Sequence, residues 1–98
     1  SNTILVIIEG MISLDHNSFK VYPIPNDGRF TIELVLQKSG IYTLEIFNSL
    51  GLRVYSSEIY VDGKHILPMD LSYLPSGVYT VTLFNTQLNA VRRIVISK

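Results

Sequence analysis

The chain has no cysteine and no tryptophan. Without cysteine there are no disulfide staples and no thiolate chemistry, and the redox compartment is left undetermined. Charge is scarce as well: 16% of the 98 residues are Asp, Glu, Lys or Arg, and eight basic residues balance eight acidic ones. A chain with no basic surplus carries no electrostatic footprint for nucleic acid or for an anionic membrane surface. Long apolar runs are also missing. The most apolar stretch, Ile4 to Ile8, is cut short by Glu9 and Gly10, far below the roughly 20 residues of a spanning helix, so no transmembrane segment is expected. It lacks the basic flank and small-residue cleavage site of a signal peptide, so either the protein stays in the cytoplasm or an export signal lies on a longer parent chain. Helical periodicity is nearly absent.

Hydrophobic residues make up 47% of the chain, which places it among globular proteins rather than disordered ones. Its length suits one domain with one core and is too small for a core plus a deep substrate cleft. Period-2 alternation recurs between turn signals. Phe30, Ile32, Leu34 and Leu36 share one face of an extended run, with Thr31, Glu33 and Val35 on the other. Tyr42, Leu44 and Ile46 repeat the pattern after Gly40, and Tyr79, Val81 and Leu83 repeat it after Gly77. Leu52 to Tyr60, His65 to Leu71 and Ala90 to Ser97 are further extended runs, as are Thr3 to Ile8, Met11 to Leu14 and Phe19 to Tyr22. Asn48 to Gly51, Pro75 to Gly77 and Asn85 to Asn89 read as turns. Asp62-Gly63 is the strongest hairpin signal present. Pro68 cannot donate to a ladder and marks an edge or a bulge. The expected fold is all-β, an immunoglobulin-like antiparallel β-sandwich of about seven or eight short strands.

Little in the sequence points to chemistry. His16 and His65 have no metal-binding spacing, and the plain reading of each is a solvated loop or strand-end residue. Asp15, Asp27, Asp62 and Asp70 fall in turns, where aspartate bonds its own backbone. They leave a structural calcium ion open but do not form the alternating acidic loop that hard cations use. No serine sits in a nucleophile elbow, and no glycine-rich run joins a strand to a helix. Tyr42 and Tyr79 could belong to a sugar platform, but their inward phase assigns them to the core. The expectation is a non-catalytic protein with no cofactor and no metal.

The most specific stretch is Val21 to Phe30, VYPIPNDGRF. Pro23 and Pro25 fix φ, hold the chain extended and donate no N–H, Asn26-Asp27-Gly28 reverses the chain, and Phe30 plugs the core. This segment resembles the Y-P-N-P-x-x-G-x-F opening of the C-terminal sorting domains of the type IX (Por) secretion system, with Ile24 in place of the usual Asn. Ile46 to Val54 resembles the family's I-Y-D-x-x-G-R/K-x-V hairpin, with Phe47 for Tyr, Asn48 for Asp and Leu52 at the basic position. Leu71 to Tyr79 resembles its L-x-x-L-x-x-G-x-Y segment, and Arg92 to Lys98 its basic-flanked final strand. The resemblance covers about residues 19 to 98.

That resemblance implies a sorting unit over residues 19–98, with residues 1–18 as a strand or linker from the parent protein. It also implies a role in carrying a larger cargo across the outer membrane. The partners implied are the outer-membrane secretion machinery and a sortase-like cysteine protease. The implied location is the periplasm in transit, then the cell surface or the extracellular medium. The motif residues are Pro23, Pro25, Gly28, Phe30, Gly51, Leu74, Gly77, Tyr79, Arg92, Arg93 and Lys98. Each of these also suits the plain task of building turns and core. The final strand, with Arg92, Arg93 and Lys98, is the candidate for capture by edge pairing. Two other readings fit a β-rich module of this size: an adhesive or carbohydrate-binding surface domain, and an accessory domain that stabilises an adjacent secreted enzyme.

Overall fold

The structure, a computed structural model, describes residues 17–98. The expected strands at Thr3 to Ile8 and Met11 to Leu14, and His16, lie outside the described residues. Among the described residues there are five antiparallel strands: β1 (Ser18–Tyr22), β2 (Arg29–Phe47), β3 (Arg53–Asp70), β4 (Gly77–Phe84) and β5 (Asn89–Ile96). There is no helix among the described residues.

Strand β2 organises the sheet. Along one edge it pairs with β3 from Arg29↔Asp70 to Phe47↔Arg53. Its other edge is divided: Thr31 to Val35 pair with β1, and Thr43 to Phe47 pair with β4. Strand β5 then pairs with β4 on the outside. The 19 residues of β2 would stretch about 60 Å if straight, yet the molecule's longest dimension is 41 Å. The β2–β3 hairpin therefore bends over the core, and the sheet curls.

Among the described residues the expected extended runs form five strands, and the seven or eight short strands of a sandwich are not found there. The alternation phases hold: Phe30, Ile32, Leu34, Leu36, Tyr42, Leu44 and Ile46 are all buried on one face of β2. The breaks between runs do not act as turns. At Gln37 to Gly40 the chain runs on through a bulge, because the register passes from Leu36↔Gly63 to Gly40↔Val61 with extra residues on β2. Asp62-Gly63 faces that bulge inside β3 rather than closing a hairpin. Gly63 takes φ +77° there, and the Ser39 hydroxyl donates to Asp62 Oδ1 at 2.6 Å. Gly at positive φ serves a bulge as well as a turn, and only pairing across the sheet distinguishes them. Pro68 does lie on an edge strand, opposite Thr31.

The core gathers the inward faces of all five strands with Leu71 and Leu74 from the β3–β4 loop. Tyr42 and Tyr79 are buried in it, and each hydroxyl donates to the carbonyl four residues upstream, Lys38 at 2.6 Å and Pro75 at 2.7 Å. A buried phenol needs such a partner, so both tyrosines serve the core and neither forms a sugar platform.

Candidate functional site

Three of the four motif segments meet at one pole of the sheet. The β1–β2 loop arrives first. Pro23 to Pro25 form a bend rather than the extended run expected from two prolines, and both bonds, Tyr22–Pro23 and Ile24–Pro25, are cis. Proline restricts φ alone; the path here follows the pairing of the next residue. Asn26 N–H donates to the Val95 carbonyl at 3.0 Å, and the Asn26 carbonyl accepts from Ser97 N–H at 2.7 Å. This closes the outer edge of β5 with a short parallel bridge.

The Asn26 side chain fixes the loop from within. Its Oδ1 accepts from Gly28 N–H at 2.8 Å and its Nδ2 donates to the Pro23 carbonyl at 2.9 Å. It is the buried polar side chain of the described core, only 7% exposed, and all of these bonds offset its desolvation. Reading residues 26–28 as a turn gave Asn26 a local role and missed its long-range one. An asparagine two residues before a glycine signals only the local bond to Gly28 N–H, and the pairing with β5 leaves no local pattern.

Gly28 joins the second segment. Its carbonyl accepts from Leu71 N–H at 2.8 Å. A Cβ on Gly28 would lie 2.6 Å from Ser72 Cα and 2.8 Å from the Leu71 carbonyl oxygen. The β3–β4 loop is thus in backbone contact with the β1–β2 loop, and Leu74 anchors it in the core. Asp70 steadies its start: Oδ1 accepts the Ser72 hydroxyl at 2.7 Å and the Ser72 N–H at 3.1 Å, with Arg29 Nε 3.6 Å from Oδ2. Those donations from Ser72, helped by the Arg29 charge, hold the Asp70 carboxyl below its ordinary pKa. Tyr22, nearby on β1, is pushed up because its hydroxyl donates to Glu33 Oε1 at 2.9 Å and would face that carboxylate if ionised.

The terminal segment is the third. Lys98 N–H donates to Ser76 Oγ at 3.1 Å, and Lys98 Nζ donates to the Ser72 carbonyl. The fourth motif segment ends β2: Phe47 pairs with Thr80, three residues beyond Gly77. In the following turn Asn48 Oδ1 accepts from the N–H groups of Leu50 at 2.9 Å and Leu52 at 3.0 Å. An amide oxygen meets the need that the expected Asp would meet. Gly51 sits at φ +83°.

The three basic residues of the final strand separate by environment. Arg92 lies at the seam between β5 and β1. Its Nε donates to the Phe19 carbonyl at 2.9 Å and its guanidinium stands 5.4 Å from the centre of the Phe19 ring. Lys98 is tied into the pole. Arg93 points to the opposite face of β5 from Arg92 and makes no hydrogen bond or ion pair among the described residues. The unusual residues Ile24 and Leu52 are 49% and 61% exposed, so these departures from the family form alter the surface and leave the core intact.

Among the described residues no three His, Cys, Asp or Glu side chains come together. A shallow hollow beside the pole, lined in part by Pro23, Arg29, Phe30 and Pro68, holds a guanidinium already shared between Asp27 and Asp70. The decisive comparison is with protein families: the model described as "Secretion system C-terminal sorting domain" matches residues 20–97. The chain belongs to that family. The match spans every strand of the sorting domain except the first residues of β1, and it ends within the pole. No curated protein matches the chain. As a type IX sorting domain it acts as a C-terminal secretion signal, which implies contact with the type IX machinery and export to the cell surface or the extracellular space. Domains of this family are in general non-catalytic. No helix among the described residues is long and apolar enough to cross a membrane.

Proposed function

We propose that the folded domain, rather than a linear tail, is the address that carries a larger cargo from the periplasm through the outer-membrane machinery. The observation that carries this reading is the closure of the pole: Asn26 joins the opening motif to the last strand, and Gly28 joins it to the Leu71–Gly77 loop. Motifs far apart in sequence thereby become one surface that a receptor can grip without chemistry on the domain itself. Residues 1–18 link the sorting unit, residues 19–98, to the cargo, and a sortase-like cysteine protease of the machinery acts at that link. Pro23, Pro25, Gly28, Phe30, Leu74, Gly77 and Tyr79 shape the pole, while Gly51 shapes the neighbouring turn.

The test is a fusion of the whole 98-residue chain behind a signal peptide and a reporter, expressed in a host with this secretion system. The reporter is expected on the cell surface or in the medium. Retention in the periplasm, with the domain folded, overturns the reading.

A further inference from the structure

Strand β3 pairs with β2 along one edge and has no partner on the other among the described residues. An uncovered strand edge is a template for a further strand. The last residues of β5 are less open, because Asn26 already takes the Val95 carbonyl and the Ser97 N–H. Pro68 has no N–H and sits opposite Thr31. Pro68, Ile66 and Lys64 are therefore residues whose backbone groups face away from β2. The even-numbered side chains from Ser56 to Asp70 are all exposed. Charge and size in that row are ordered about Gly63. Asp62 and Lys64 flank the glycine, and beyond them stand Tyr60 and Ile66, 61% and 46% exposed.

We propose that β3 pairs edge to edge with β3 of a second copy of this chain, antiparallel about a two-fold axis at Gly63. That axis sets Asp62 opposite the partner's Lys64 and Tyr60 opposite the partner's Ile66, and symmetry makes each contact twice. Ile41, 61% exposed and opposite Tyr60 on β2, widens both apolar contacts. Charge complementarity selects this occupant and this register. An axis at Asp62 or at Lys64 would set that residue against its own like charge. An axis at Val61 would match Glu58 with Lys64, but would leave Tyr60 beside Asp62 and Ile66 beside Ser56. Of these four, the Gly63 axis alone matches the charges and the apolar side chains together. Gly63 also presents no side chain on the axis, where the two backbones come closest. Both charged groups are available. The Ser39 hydroxyl occupies only Oδ1 of Asp62, and Lys64 makes no ion pair among the described residues. An edge lysine ordinarily repels other strands. Here it meets a carboxylate in one partner orientation, so it excludes other pairings while admitting this one. The ladder is short, because Pro68 cannot donate to it, and the association is a transient one.

The experiment is sedimentation of the full 98-residue chain over a concentration series reaching about 1 mM, the range of a short interface. A monomer–dimer equilibrium is expected. Asp62→Lys and Lys64→Asp should each weaken it at least about tenfold, since two attractive pairs become repulsive at once. An equimolar mixture of these two variants should dimerise about as well as the unaltered chain, because each copy then supplies one sign. Glu58→Lys and Ser39→Ala should dimerise normally, the second reporting the loss of the Ser39 bond alone. All the variants are expected to melt like the unaltered chain in dilute solution. Should Asp62→Lys unfold, Lys64→Asp against Glu58→Lys decides the matter by itself. A monomer at every concentration overturns the proposal. So does a dimer indifferent to both charge changes, or a mixture no tighter than either variant alone. A dimer weakened by Glu58→Lys as much as by Lys64→Asp overturns the Gly63 axis. No arm of this experiment reads export, so its failure leaves the sorting function untouched.

Discussion

Gly28 and Gly51 both take positive φ, but their surroundings differ. Around Gly51 a Cβ would meet nothing within 4 Å, whereas at Gly28 it would strike backbone at 2.6 Å. Gly51→Ala is expected to cost only the conformational term, about 1–2 kcal/mol. Gly28→Ala adds forced backbone movement of about 1–3 kcal/mol, so it should melt several degrees below Gly51→Ala in a thermal scan, at about 4–8 °C per kcal/mol. Equal melting temperatures would show that the two loops are not pressed together. Asn26→Ala strands the buried Gly28 N–H, while the exposed Pro23 carbonyl can turn to water, and is expected to cost about 1–3 kcal/mol, read from urea midpoints. Asp70 gives a pH signature. Its carboxyl is held below its ordinary pKa, so the folded state binds that proton less tightly than the unfolded chain does. The stability it contributes is complete above the ordinary carboxylate range near pH 4 and is lost as pH falls through the folded value. Asp70→Asn should therefore flatten the acid limb of the melting-temperature profile while leaving its alkaline side unchanged. An unchanged acid limb would remove Asp70 from the loop's support.

Among the elements, the final strand shows why export data on truncations are hard to interpret. Ile94 and Ile96 are almost wholly buried, and Val95 and Ser97 hold Asn26. Ile94→Ala alone is expected to cost about 2–5 kcal/mol. Removal of residues 94–98 should abolish the fold, seen as collapsed amide dispersion in a proton–nitrogen NMR spectrum. A folded truncation would contradict the closure of the pole. The strands differ in how far they could be read in advance. The inward phases of β2 and β4 were legible because alternation depends only on neighbours two residues apart. The joints were not. Gln37 to Gly40 and Asp62-Gly63 carry the same residue types as hairpin turns, and only the register of β2 against β3 makes them a bulge. Arg92 and Arg93 were read together with Lys98 as parts of one captured final strand, although a strand sends consecutive residues to opposite faces.

For the whole molecule, the motif blocks were visible as separate strings, and their convergence was not, because loop-to-loop contacts across some seventy residues leave no local pattern. Four positions show the gap: Asn26, Gly28, Leu71 and Val95 each look like ordinary turn or strand residues until the sheet curls. The surface shows the complementary lesson. Composition set the balance of charge at zero, but only the folded sheet revealed that Glu45 and Arg53 pair across β2 and β3 at 2.9 Å.

The bond from Asn26 to Ser97 also has a consequence in time. The first loop of the sorting unit is completed by a strand that comes far later in the chain, so it cannot settle into its native path until the sheet between them has formed.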